Sequence, residues 1–194
     1  MTAAGRTRLV GVDGRSGAGK TTLAAALAAA LEREAGRPVG LFHLEDLYPG
    51  WDGLVTGMDR YRHEVLEPLA DGRAARWTDW DWTADRLGHT HRIEPGGLLI
   101  AEGVGAGHAA ARPLLDALVW LEVPASQRRH RALERDGETY RPHWARWAAQ
   151  EDAWLRKDDV AAAADVVLLG GAEPAALARR VRDLLERGEP TTRP

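Results

Sequence analysis

The chain contains no cysteine among its 194 residues. That absence excludes disulfides, thiolate metal sites and thiol catalysis, and it fits a cytoplasmic location. Long apolar runs are also missing. No stretch reaches membrane-spanning length, and Met1 to Arg8 has no apolar core of signal-peptide size, so no membrane partner is expected. Charge of one sign is not in excess. A formal net charge of −3 argues against a general nucleic-acid surface. Phenylalanine occurs once and methionine twice, whereas tryptophan occurs eight times. Tryptophan suits places that need a flat apolar surface with one polar edge. A hydrophobic fraction of 44% is enough for one α/β domain with a full core. No repeat or linker divides residues 1–194, and the tail from Glu189 to Pro194 reads as disordered.

The organising stretch is Gly14-Arg15-Ser16-Gly17-Ala18-Gly19-Lys20-Thr21. It has the form G-x-x-x-x-G-K-[ST]. The apolar run Leu9 to Val12 leads into it, and an Ala/Leu-rich run from Thr22 to Leu31 follows. Strand, glycine loop and helix are the context in which this pattern cradles phosphates. Glycines let successive N–H groups turn inward, and the helix N-terminus adds partial positive charge. Lys20 brings a point charge for the outer phosphates, and the Thr21 hydroxyl is a ligand for Mg²⁺. Gly14, Ser16, Gly17, Ala18, Gly19, Lys20, Thr21 and Thr22 are therefore the expected ATP-binding residues.

Further strands are expected at Val39–His43, Leu98–Glu102, Ala117–Val123 and Ala164–Leu169. With Leu9–Val12 they make an α/β, three-layer P-loop NTPase fold. Its central five-stranded parallel sheet is flanked by helices. Helices are read at Lys20–Glu34, Asp59–Leu69 and Arg141–Lys157, with a terminal helix ending near Arg187. Asp46 follows the second strand, where ligands of open α/β sheets bind. The alternative for Asp46 is a cap on the next turn. Glu102 ends the strand expected beside the first, with its carboxylate near the Mg²⁺ position. Arg128, Arg131 and Arg135 are spaced three and four apart and share one helix face. They read as an Arg-rich lid at about 125–140, or as a solvated basic face. The segment Ala75–Trp82 reads as extended, with Trp77, Trp80 and Trp82 on one face as ligand platform, core or oligomer contact.

These pieces together resemble the uridine kinase and phosphoribulokinase group of P-loop kinases, and look closest to uridine kinase. The resemblance runs over about residues 8 to 175. It rests on Gly14 to Thr21, Glu45-Asp46-Leu47-Tyr48, Trp80-Asp81-Trp82, Glu102-Gly103, the run Arg128, Arg131, Arg135 and Asp136, and Ala164-Asp165-Val166-Val167. It implies ATP and Mg²⁺ as cofactors and a small-molecule acceptor as partner, with self-association left open. Asp46 would be the general base, with Lys20, Arg131 and Arg135 on the transferring phosphate and Arg128 joining the loop around ATP. Tyr48, Asp52, Trp80 and Glu102 would line the acceptor, and Thr21 with Glu102 would hold the metal. Trp80 stands where the family has a Tyr, so the base preference stays open. Three functions remain: a nucleoside kinase of the uridine or cytidine kind, a kinase for a sugar, sugar phosphate or secondary metabolite, and a regulatory nucleotide switch. The Asn-Lys-x-Asp motif of guanine-nucleotide switches is absent.

Overall fold

The computed structural model describes residues 6–187, without the side chains of residues 135, 136, 138 and 139. The expectation for the tail lies outside the described residues, as does that for the Arg135 side chain. The chain begins with β1 (Arg8–Asp13), the phosphate-loop stretch, α1 (Lys20–Ala35) and β2 (Val39–His43). Gly36 closes α1 by returning its N–H to the Glu32 carbonyl at 2.8 Å. A 3₁₀ turn, Leu44–Leu47, leads to α2 (Leu54–Arg60), which continues as a π-helical stretch at Tyr61–Leu66 and ends as α3 (Glu67–Ala70). β3 (Ala75–Asp81) and β4 (Arg86–Ile93) form an antiparallel hairpin. Then come β5 (Leu98–Glu102), β6 (Ala117–Glu122), α4 (Ala125–Tyr140) and α5 (Trp144–Leu155). The described chain closes with α6 (Val160–Ala163), β7 (Val166–Leu169) and α7 (Pro174–Arg187).

The main sheet is parallel with order β2-β5-β1-β6-β7. Its central strands are apolar on both faces, as strands covered on both sides must be. Alternation along them divides the interior in two. Val10, Val12, Ile100, Val119 and Leu121 pack with Leu23, Leu27 and Leu31 of α1 and with Leu177 and Val181 of α7. Leu9, Leu99, Ala101, Leu118 and Trp120 join Phe42, Leu44, Tyr61, Val65 and Leu66 on the other side. These are three layers, helix on sheet on helix.

The topology also fixes where a ligand meets the sheet. β1 lies beside β6, and the connection from β1 runs to β2 at one edge while that from β6 runs to β7 at the other. Such a switch point opens a crevice at the carboxyl ends of the strands. The phosphate loop, the Leu44–Leu47 turn and the Gly103–Gly107 loop all start there.

Two elements differ from expectation. The helix expected to start at Asp59 begins at Leu54. The tryptophan segment is a strand, but it does not keep its tryptophans on one face. Its register against β4 shifts between Thr78 and Trp80. The extra residue there lies in β4, while along β3 the three-residue step from Trp77 to Trp80 puts them on opposite faces. Trp77 is buried edge-on to Phe42, with ring centres 5.1 Å apart, and belongs to the core. Trp80 and Trp82 stay nearer the crevice. The partner strand β4 was not foreseen.

Candidate active site

The loop after β1 is already folded around an inward-facing lysine. Ala18 N–H donates to the Arg15 carbonyl at 3.1 Å, and Lys20 Nζ to the same carbonyl at 3.3 Å. Lys20 is buried while Thr21 and Thr22 at the start of α1 are exposed. The charge is thus held inside the loop, and hydroxyls face the open side. Asp13 ties this loop to the next connection. Its carboxylate is fully buried and accepts N–H bonds from Gly14 at 2.6 Å, Gly105 at 3.0 Å and Gly107 at 2.8 Å. Burial still outweighs these bonds and the Lys20 charge, and carries its pKa up to about 6.

Glu102 joins the loop to the second strand. Its Oε1 accepts the Thr21 hydroxyl at 2.9 Å and lies 2.7 Å from Nδ1 of His43, the last residue of β2. The register explains the contact, because His43 is paired with Glu102 across the β2–β5 ladder. Burial pushes the Glu102 pKa up, but the His43 bond, the Lys20 charge and the Thr21 hydroxyl prevail, and it lies below the ordinary value. The same bond raises the His43 pKa against the effect of burial. Asp46, three residues further on, is half-buried. Burial raises its pKa, Asp79 and Glu102 add to that, and His43 and His91 oppose it. The result is a row of acids with histidines between them, running from the loop helix toward the hairpin. The Thr21 hydroxyl and Glu102 carboxylate are hard oxygen donors of the kind Mg²⁺ takes beside phosphates and water. Groups of three or more His, Asp and Glu fit to hold a metal are absent among the described residues.

The other residues expected at the site each have their own contacts. Tyr48 is buried, donates its hydroxyl to the Val104 carbonyl at 2.8 Å and packs on Trp147, so it supports the crevice from behind. Asp52 is engaged in an ion pair with Arg146 of α5. Arg128 is 5% exposed and turned inward; its Nε donates to the Val123 carbonyl at 3.0 Å and NH1 to the Ser16 carbonyl at 3.1 Å. It fixes the back of the loop. Arg131 does stand over the loop, exposed, with NH1 3.5 Å from the Ala18 carbonyl. Trp80 is part-buried, and its indole N–H is among the buried polar atoms without a partner.

Other residues of the site were not foreseen. Asp79 accepts from His91 Nε2 at 2.8 Å and from His89 N–H at 2.6 Å across the hairpin. These bonds, His91 foremost, hold its pKa below the ordinary carboxylate value. Arg60 binds Glu64 and donates to the carbonyls of Leu47 at 3.2 Å and Thr78 at 2.6 Å, fastening the Asp46 turn to the hairpin. Glu151 of α5 is 1% exposed and accepts the Ser16 N–H at 2.8 Å. A signal for it was present. An acid four residues after Trp147 and three before Trp154 lies within an apolar helix stripe, where a carboxylate needs built partners.

Fold and loop together define a three-layer P-loop protein. Its architecture is that of the uridine-kinase-like proteins that the sequence resembles. It is similar to a protein named as a possible uridine kinase from Bacillus stearothermophilus, at 24% identity, 87% of this chain, 91% of that chain and a TM-score of 0.62. It is equally similar to a protein provisionally named as a fructose transport system kinase from Silicibacter sp. TM1040, at 22% identity, 87% and 92% coverage and TM-score 0.62. The APS kinase of Mycobacterium tuberculosis, solved with AMPPNP and APS, follows at 18% identity, 93% and 98% coverage and TM-score 0.51. At these identities the likeness carries the fold. No family model and no curated protein matches the chain. Among the described residues, no helix is long and apolar enough to cross a membrane.

Proposed function

We propose that this chain is an ATP-dependent kinase that transfers the γ-phosphoryl group to a hydroxyl of a small polar metabolite, with a nucleoside of the uridine or cytidine kind as first choice. The observation that carries the reading is the Glu102 carboxylate. It touches Thr21 at the phosphate loop and His43 on the strand that delivers Asp46. Donor and acceptor halves therefore meet at one carboxylate. The names of the similar solved structures support a kinase without choosing the acceptor.

In this reading the N–H groups of Gly17 and of Gly19 to Thr22 and the Lys20 charge hold the phosphate chain. Thr21 and Glu102 hold Mg²⁺, which neutralises charge on the phosphates when bound. Asp46 accepts the proton of the attacking hydroxyl. A pKa raised by burial brings it closer to working pH, which a general base needs. Arg131 and Arg135 close over the phosphate and exclude water. Trp80 offers a part-exposed ring face to the acceptor.

The acceptor side favours a molecule without a phosphate of its own. Glu45, Asp46 and Asp79 supply negative charge there. Arg60 and Arg146 are committed to Glu64 and Asp52. A neutral sugar is the second reading, because tryptophan beside carboxylates also suits a polyhydroxyl ring.

Purified protein with Mg·ATP should release ADP only when an acceptor is added from a panel of uridine, cytidine, fructose and related sugars. Asp46→Asn should retain AMPPNP binding and lose about 10²- to 10⁴-fold in transfer. Near-normal turnover in that variant would remove Asp46 as base. Acceptor-independent hydrolysis without a phosphorylated product would instead favour a nucleotide switch.

A further inference from the structure

Three neighbouring side chains of α5 reach two different loops. Glu151 accepts from Ser16 N–H at 2.8 Å, from Arg15 Nε at 2.9 Å and from the Trp147 indole at 3.1 Å. Gln150, the preceding residue, donates Nε2 to the Trp51 carbonyl at 2.7 Å and accepts the Leu54 N–H at 3.4 Å. Trp147 lies on the same face, 5.0 Å from Tyr48 and 6.5 Å from Trp51 between ring centres. One turn of one helix thus holds both the phosphate loop and the segment that follows Asp46. The preceding stretch adds a grip, because Tyr140 and His143 stack on Trp51 at 5.2 and 4.4 Å.

The choice of residue at Glu151 matters. A fully buried carboxylate is costly, and an apolar side chain of similar size often serves packing as well or better. Here the carboxylate meets a backbone N–H, a guanidinium and an indole, with Arg128 NH1 a further 4.0 Å away. Nothing in this arrangement blocks the inside of the loop, where Lys20 points.

We propose that Trp147, Gln150 and Glu151 form a brace. Glu151 and Gln150 are positioning residues that fix the phosphate loop relative to residues 48–54, so that nucleotide on one side orders the other. The inference rests on nucleotide binding at the loop, as read above, but on no particular acceptor.

Hydrogen–deuterium exchange with and without saturating AMPPNP and Mg²⁺ tests it. In the wild type, AMPPNP should slow exchange at 14–21 and also, by about threefold or more, at 48–54. Glu151→Leu should keep the first effect and lose the second. Glu151→Gln retains an oxygen for the Ser16 N–H and should restore it. Gln150→Ala breaks the other end of the brace at a part-exposed position and should also lose the effect at 48–54. If Glu151→Leu does not fold, Gln150→Ala decides alone. AMPPNP affinity should change by less than about threefold in Gln150→Ala, which contacts only Trp51 and Leu54. Protection confined to 14–21 in the wild type would overturn the brace, as would unchanged protection at 48–54 in Gln150→Ala. No protection at 14–21 in the wild type would overturn nucleotide binding itself, and the brace with it.

Discussion

Two glycines of the phosphate loop should respond very differently to the same added methyl group. A Cβ on Gly17 would sit 2.1 Å from the Arg128 carbonyl oxygen, 2.8 Å from its carbon and 3.0 Å from its Cα. Ordinary contacts between carbon atoms are about 3.5–4.0 Å. The obstacle is backbone, and it cannot swing away. Arg128 N–H is bonded to the Pro124 carbonyl at 3.1 Å, and its guanidinium is bonded to Ser16 and Val123. Gly17 also has φ of +78°. Left-handed backbone costs a residue with Cβ roughly 1–2 kcal/mol. Overpacking adds roughly 1–3 kcal/mol, so Gly17→Ala should lose about 2–5 kcal/mol of stability. Gly19 has φ of +96°, but a Cβ there would meet nothing within 4 Å. Gly19→Ala should therefore lose only the conformational part, about 1–2 kcal/mol. Urea unfolding of both variants at one pH measures the difference. AMPPNP titration should show Gly17→Ala the weaker binder, because the base of α4 must retreat from the loop. Equal losses, or a larger loss at Gly19, would refute the reasoning.

Two further outcomes follow from the carboxylates. Asp13 has its pKa raised from 3.8 to about 6 in the folded protein, so the folded state holds its proton longer than the unfolded chain. Its contribution to stability therefore falls as pH rises from about 4 to about 6, by roughly 3 kcal/mol, and is constant above that. The stability difference between Asp13→Asn and wild type should move in the variant's favour across that window; a flat difference from pH 4 to 7 would contradict the assignment. Glu102→Gln removes the charge that Thr21 and His43 share. The Mg²⁺ concentration for half-maximal ATP turnover should rise about 10- to 100-fold, and an unchanged requirement would exclude Glu102 from the metal site.

The strands were legible because each is a short apolar run between turn formers, and α1 because Gly36 and Pro38 mark its end. The next helix starts early and runs through Gly57. The constraint on that glycine is distance, since a Cβ there would lie 2.3 Å from the Tyr48 ring. Asp46 and Glu102 could be placed because strand order puts strand ends at one crevice. Asp52 could not, because its partner Arg146 lies on a distant helix and the spacing of neither residue reveals the pair. The tryptophan face failed for a local reason. Trp77 and Trp80 are three apart, so period-two alternation itself puts Trp77 on the face opposite Trp80 and Trp82. β4 carried one cue, the turn in which Asp81 accepts N–H bonds from Thr83 and Ala84.

The position of β1 in the sheet has a consequence for how the protein is made. It leaves the ribosome well before its neighbours, which begin at Leu98 and Ala117. Until residue 102 has emerged both edges of β1 are open, and one stays open until residue 122. Such edges invite pairing with other nascent chains. Chains truncated before β6 should accumulate as aggregates, and slowing translation before that point should lower the soluble yield. The phosphate loop, made early, gains its long-range partners only when Gly105, Gly107 and Glu151 have followed.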